Sequence, residues 1–592
     1  MDRQTKLAFG LIFILLIGYY AWLSRFSPEP DETPTELVED SLVVENGDPE
    51  DGNRGLDSAP PPYIPTEIPT DIDVGSAPQR SIMVETPLAR YHLDSRGALL
   101  TRVELTVFDG YDEDGERDGV VQLVKSGDEL PGEGLLGLDL FRGGQELSSA
   151  GWNFACDLPE GQDKLSIDSP RSLTFLFRDD LGGELVKTFT FHPESYQVDV
   201  RVSGKLVGAL TGVDRYGLDL EQGILSTEKN RKDDLGSFKN FFLLGEKLEK
   251  KGLNSFKNGG QVTSPEGTVQ WAATKNKYFT LALIPEGSLQ GKASLLGSKE
   301  TSHLGYNMEF SLRGGRTNFD EDFQLYAGPI FRDTLMTYDR GLERVQDLGW
   351  AWIRPISVGI KWLMGWIYKF IPNYGVVIIL LSVFTKVLFY RLSHKSFKSM
   401  KDMQGIQPEL HKLQEKYKDN KQKLNEATMK LYKEHGVNPL GGCLPMVLQM
   451  PVFFALFSVL RSAVELRGAG FVGWIHDLSY MDVLYTLPFE IPMLGNFINN
   501  SISLLPILMG VSMWLQTRMG GTGMGMSTGP SQAGAQAAMM NKIMPFFMTF
   551  IFYRMPSGLV LYWLVNNILT AVQQYYIHKG LDQDGKVVPG QA

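Results

Sequence analysis

Residues 374–392 read YGVVIILLSVFTKVLFYRL, and this stretch decides how the rest of the chain is to be read. Up to Lys386 the run is apolar or small except for Tyr374, Ser382 and Thr385. A lone ammonium inside an apolar helix costs about 2.5–3.5 kcal/mol on biological insertion scales unless it finds water or a partner. At 1.5 Å per residue Lys386 would lie roughly 18 Å from the Tyr374 end, in the half of a bilayer nearer residue 392. Ser382 and Thr385 stand at i−4 and i−1 from it, so a helix can turn one polar arc toward a bundle interior. The alternative is a lysine that snorkels to the nearer interface. Either way, the segment reads as a membrane span.

The sequence just beyond it sets the orientation. Between Ser393 and Asn438 lie Lys395, Lys398, Lys401, Lys412, Lys416, Lys418, Lys421, Lys423, Lys430 and Lys433, and such a loop stays in the cytoplasm. Ile406, Leu410, Leu413 and Tyr417, then Leu424, Met429 and Leu431, predict a two-helix hairpin broken near Asp419-Asn420. Its basic surface suits lipid headgroups or ribosomal RNA, or only solvent. Four more apolar runs follow, at 440–460, 502–515, 543–555 and 559–577. Two of them, 502–515 and 543–555, fall short of the roughly 20 residues that cross about 30 Å of hydrocarbon, and local thinning of the bilayer would accommodate them.

Polar residues recur at comparable depth in other spans. Gln449 lies about nine residues into its run, and Asn566, Thr570 and Gln573 fall at i, i+4 and i+7 in the last, with Asn567 and Gln574 adjacent. Polar arcs on three helices imply a hydrophilic cavity inside the membrane, open to the cytoplasm. Interhelical hydrogen bonds, worth about 0.6 kcal/mol on average, are the alternative for the amides.

Upstream of the first quoted stretch, residues 341–373 interleave Trp350, Trp352, Trp362 and Trp366 with Arg354, Lys361 and Lys369, which suits a helix in the headgroup layer. An amphipathic helix packed on the preceding domain fits the same pattern. Residues 80–340 alternate in short segments between Gly, Asp and Pro turns. Leu173, Phe175 and Phe177 share a strand face, Gly182-Gly183 can turn, and Tyr196, Val198, Val200 and Val202 alternate again. An all-β sandwich follows. Residues 27–79 carry fourteen acidic residues and only Arg54 as a base, which accounts for the whole formal charge of −12; this Pro-rich stretch reads as a disordered tether. Residues 1–26 hold the apolar run Leu7–Leu23 behind Arg3 and Lys6, followed by Arg25. Tyr19, Tyr20 and Trp22 favour a retained anchor over a cleaved signal.

The expected architecture is a polytopic α-helical membrane protein of six transmembrane helices plus an all-β periplasmic domain, with both termini, including the tail at 582–592, in the cytoplasm. The two cysteines, Cys156 and Cys443, fall on opposite sides of the membrane, and neither joins a zinc-like ligand set. No cofactor is expected. The Gly- and Met-rich loop 519–540 could hold apolar peptides, and reads equally as a linker.

The strings NPLGGCLPMVLQMPVF (438–453), WIHDLS (474–479) and PSGLVLY (556–562) resemble the hallmark segments of YidC/Oxa family insertases, over about residues 342–581. The linker and β domain resemble the periplasmic portion of Gram-negative members, a β-supersandwich. The resemblance implies a five-helix core, 374–581, around a positively charged groove closed to the periplasm and open to the cytoplasm and lipid, in which a family arginine is central. Lys386 occupies that position here and keeps the charge without the forked donor geometry. Ser382, Tyr562 and Trp563 would then line the path of a client helix, with Thr385, Gln449, Asn566, Asn567, Thr570 and Gln573 completing the contact set. The implied function is insertion and folding of nascent membrane proteins, alone or beside the Sec translocon, with the lipid bilayer and the ribosome as further partners and a monomer as the working unit. An ion-coupled transporter is the rival reading, but the spans hold no Asp or Glu relay and no evident repeat. A membrane enzyme would need a nucleophile–base pair, which the bundle does not offer.

Overall fold

The computed structural model describes residues 77–111, 117–125, 134–256, 259–312, 317–417, 420–437, 444–489, 500–520 and 543–584. The expected anchor Leu7–Leu23, the tether up to residue 76, Cys443, most of the Met-rich loop and the tail beyond residue 584 lie outside them. The chain divides into two compact units, Met1–Gly328 and Pro329–Ala592.

In the first unit the alternating segments become strands because a pleated backbone sends successive side chains to opposite faces. Strand Arg171–Arg178 buries Leu173, Phe175 and Phe177. Glu184–Phe191 pairs antiparallel with it, Leu185 opposite Phe177, and with Gln197–Lys205, which buries Val198, Val200 and Val202. Each such side chain removed from water contributes about 1.5–3 kcal/mol. Between the first two strands Asp179 Oδ1 accepts the N–H groups of Leu181 at 2.9 Å and Gly183 at 2.6 Å, while Gly182 takes φ +88°, a left-handed conformation that favours glycine. A five-stranded sheet runs Arg117–Lys125, Leu99–Tyr111, Ala89–Asp94, Ser81–Glu85, Lys164–Ser166, the last pair parallel. A larger antiparallel sheet carries the remaining long strands, from Gly137–Arg142 through Arg215–Leu220 and His303–Ser311 to Asn318–Pro329 and beyond. The result is a large β-rich domain. One side chain breaks its alternation: Lys187 takes the core position between Leu185 and Phe189 and is fully buried.

The second unit is helical. Helix α1 (Arg354–Phe370) buries Ser357, Ile360, Met364 and Ile367, spaced at three and four residues, and leaves Trp362, Trp366 and Phe370 exposed on the far side. Asn373 caps α2 (Tyr374–Leu388) by accepting the N–H of Val376 at 3.1 Å. The quoted stretch continues as a helix only to Leu388, where the Phe389 N–H closes the last turn on Thr385. The chain resumes as α3 (Tyr390–Gly405), then α4 (Gln407–Lys416) and α5 (Lys421–Glu434), the last capped by Asn420. Helices α6 (Leu444–Ser462), α7 (Leu504–Gly520), α8 (Ile543–Phe552) and α9 (Ser557–Asp584) stand where the later apolar runs lie. Among the described residues no single helix is long and apolar enough to cross a membrane; Tyr374–Leu388 and Tyr390–Met403 pass that test together, bent by 61°. The core of this unit joins Ile360 and Met364 of α1, Ile378 and Leu381 of α2, Leu456 and Val459 of α6, Met509 of α7 and Val560 of α9.

Candidate functional site

Lys386 sits in the last turn of α2, where the carbonyl end of a helix favours a cation. Its Nζ donates to Thr570 Oγ1 on α9 at 2.6 Å, and Thr570 donates its own proton to the Asn566 carbonyl at 2.6 Å. Ser382 and Thr385 are buried on the same arc. Their hydroxyls return to the helix, Ser382 to the Ile378 carbonyl at 2.8 Å and Thr385 to the Ser382 carbonyl at 2.9 Å. That self-satisfaction lets two hydroxyls face a packed interior without a desolvation penalty.

Tyr562, only 3% exposed, links three helices. Its phenol lies beside the side chains of Thr385 on α2, Gln449 on α6 and Asn566 on its own α9. Six of the ten residues singled out from the sequence therefore gather in two joined clusters: Lys386–Thr570 and Tyr562–Thr385–Gln449–Asn566.

The others go elsewhere. Asn567 points to α7, where its Nδ2 donates to Ser512 Oγ at 3.2 Å. Trp563 stacks edge-on to Phe453 at 5.2 Å and lies 5.1 Å from Phe552, its indole N–H buried without an acceptor among the described residues. Gln573 Nε2 is likewise buried and unpartnered there, as are both polar atoms of Gln574. Ser382 contributes burial rather than a contact to the clusters.

Sequence reasoning missed the framework at the opposite end of these helices. Lys361 of α1 pairs with Glu465 at 3.0 Å, just past α6. Asp482, 3% exposed, accepts the N–H groups of Leu504 and Leu505 at 2.8 Å each and the Trp474 indole at 3.1 Å, so it caps α7. Phe471 lies so close to Gly375 that a Cβ there would come within 2.0 Å of its ring, which is why the second residue of α2 is glycine. No spacing in the sequence signals that cap, since Asp482 stands 22 residues before the first N–H it accepts. Among the described residues no group of three His, Cys, Asp or Glu is placed to hold a metal ion.

Comparison with known proteins adds independent findings. One family model, described as the YidC periplasmic domain, matches residues 81–362, and another, described as the 60Kd inner membrane protein, matches residues 366–584. The membrane protein insertase YidC of Chlorobium phaeovibrioides is 34% identical, over 98% of this chain and 95% of its own length. That of Chlorobium luteolum is 33% identical over the same shares. A crystal structure of an active YidC insertase with the first transmembrane domain resolved is 20% identical, with a TM-score of 0.36, covering 86% of this chain and 95% of that one.

Proposed function

This chain belongs to the YidC family of membrane protein insertases, and from that premise we propose that it works through a hydrated, positively charged groove centred on Lys386. Membrane protein insertion is the activity, and it is not enzymatic: the protein carries a segment from one phase to another and alters no covalent bond. The finer reading concerns how. The observation that carries it is the meeting of Thr385, Gln449 and Asn566 at the Tyr562 phenol beside the Lys386–Thr570 bond, polar side chains from three helices next to a core that includes Ile378, Leu381, Leu456 and Val560.

Polar groups held this way bind water, and water lowers the cost of bringing a polar flank part-way across hydrocarbon. The groove then attracts the acidic flank of an incoming segment, and the apolar remainder has less lipid left to cross. Short helices such as α8 assist by thinning the bilayer locally. The driving force is transfer of the apolar segment to lipid, about 0.8 kcal/mol per buried methylene. The groove opens toward the cytoplasm, the basic hairpin α4–α5 lies on that side, and α1 rests in the opposite headgroup layer with the β domain in the periplasm. Nascent membrane proteins are the clients. The ribosome, through the hairpin, and the Sec translocon are the partners that this arrangement admits, and one copy of the chain suffices for it.

The test is complementation of a host depleted of its own insertase, scoring insertion of a small single- or double-spanning client with an acidic flank. Lys386→Arg retains insertion, Lys386→Ala lowers it about tenfold, the equivalent of roughly 1.4 kcal/mol of lost attraction, and Lys386→Glu lowers it further. Normal insertion by the Glu variant would reject a role for positive charge.

A further inference from the structure

We propose that Thr570 is a positioning residue for Lys386: its hydroxyl holds the ammonium against α9 at the depth of the polar clusters, and does so without neutralising it. The inference rests on the reading of Lys386 as the groove cation. A lysine has a flexible four-carbon stem, and this one stands in the last turn of α2, followed by the exposed Val387 and Leu388 and then by Arg391. From there a free ammonium swings outward to the interface, where hydration is better. It is found instead 2.6 Å from Thr570 Oγ1, on a different helix and 184 residues away in sequence.

The polarity of that contact is fixed. A threonine hydroxyl has one proton, and Thr570 spends it on the Asn566 carbonyl at 2.6 Å, so only its lone pairs face the lysine. The ammonium has three N–H groups and no carboxylate partner among the described residues, and one of the three is used. An Asp or Glu in place of Thr570 would fix the ammonium equally well but cancel its charge. A hydroxyl sets position and leaves the positive charge with two donors for a client carboxylate. The same tether reaches the second cluster, because the Asn566 whose carbonyl orients Thr570 also places its side chain beside the Tyr562 phenol. An arginine would depend on it less, since its planar fork of five donors finds alternative acceptors.

The experiment uses the full-length chain in membranes of a depleted host, with two clients that differ only in an acidic or an amide flank. Thr570→Val lowers insertion of the acidic-flank client about fivefold and that of the amide-flank client by less, and Thr570→Ser restores it. In a Lys386→Arg background Thr570→Val causes little further loss. Modification of Lys386 by a membrane-impermeant amine reagent applied from the cytoplasmic side, mapped by peptide mass spectrometry, rises in Thr570→Val and not in Thr570→Ser. Equal loss for both clients, or an equal loss in the Lys386→Arg background, would assign Thr570 a merely structural role and overturn the proposal. So would unchanged insertion and labelling in Thr570→Val. Lys386→Gln separates the two levels: if it inserts normally the groove reading falls, whereas a defective Lys386→Gln beside a normal Thr570→Val removes only the tether.

Discussion

Lys187 and Lys386 are both cations in apolar surroundings, and they were not equally legible. Lys386 stands out because the run around it is long enough to define its environment. Lys187 does not: it interrupts the apolar face of a strand of only eight residues, and its partners come from 51 to 90 residues away, the Leu136 carbonyl at 2.6 Å and the Gly97 carbonyl at 2.8 Å. Gly97, Ala98 and Leu136, whose carbonyls it gathers, all adopt positive φ, which costs Ala98 and Leu136 about 1–2 kcal/mol each. The buried ammonium offsets that strain by satisfying the carbonyls. Burial pushes the Lys187 ammonium down from the ordinary 10.5 to about 7, with Asp139 and Asp219 pulling the other way. Between those values the unfolded chain holds a proton that the folded chain releases, so stability rises with pH across the window and is lost as pH falls back to about 7. Hydrogen exchange along Leu99–Tyr111, corrected for chemical rates, should therefore slow from the lower to the upper end of the window in the native protein. Lys187→Met should abolish that change; a variant that kept it would assign the slope to another group.

Helices and strands were legible by period, and their ends were not. The 3.6-residue spacing in α1 and the two-residue spacing around Phe175 both lead to the observed elements. The 374–392 run, by contrast, breaks after Leu388, and nothing in its composition sets that boundary apart from Leu392. Pairings between helices were the least legible, since Asn567 with Ser512 and Lys361 with Glu465 join residues far apart in sequence whose contact depends on helix packing. Helix α1 carries its own prediction. Trp362 is 69% exposed and Trp366 50%, on the face opposite Ile360 and Met364. If that face meets lipid headgroups, brominated-chain lipids quench a large share of the tryptophan fluorescence in reconstituted bilayers, and Trp362→Phe with Trp366→Phe removes the larger part of the quenchable signal. An unchanged quenchable fraction would place the helix against protein instead.

At the scale of the molecule, the division into a β-rich unit and a helical unit was legible in composition, because acidic and turn-forming residues crowd the first half and apolar runs the second. The order of strands in the large sheet was not, since it joins segments such as Gly137–Arg142 and Arg215–Leu220 by pairing rather than by sequence proximity. Sidedness is a property of the whole molecule, and the two native thiols report it. Cys156 is half-buried and burial pushes its thiol pKa up, so it reacts slowly. An impermeant maleimide applied to intact spheroplasts should label Cys156 and spare Cys443, with Cys156→Ser abolishing the signal; the reverse pattern would invert the topology. The 61° change of direction after α2 bears on this geometry. Lys386 lies on one arm of that elbow and α3, with Lys395, Lys398 and Lys401, forms the other ahead of the hairpin α4–α5, so the cation held by Thr570 and the basic run that follows it lie along different axes. A straight continuation of α2 would have carried all four lysines along one line; the elbow parts the tethered charge from the run behind it.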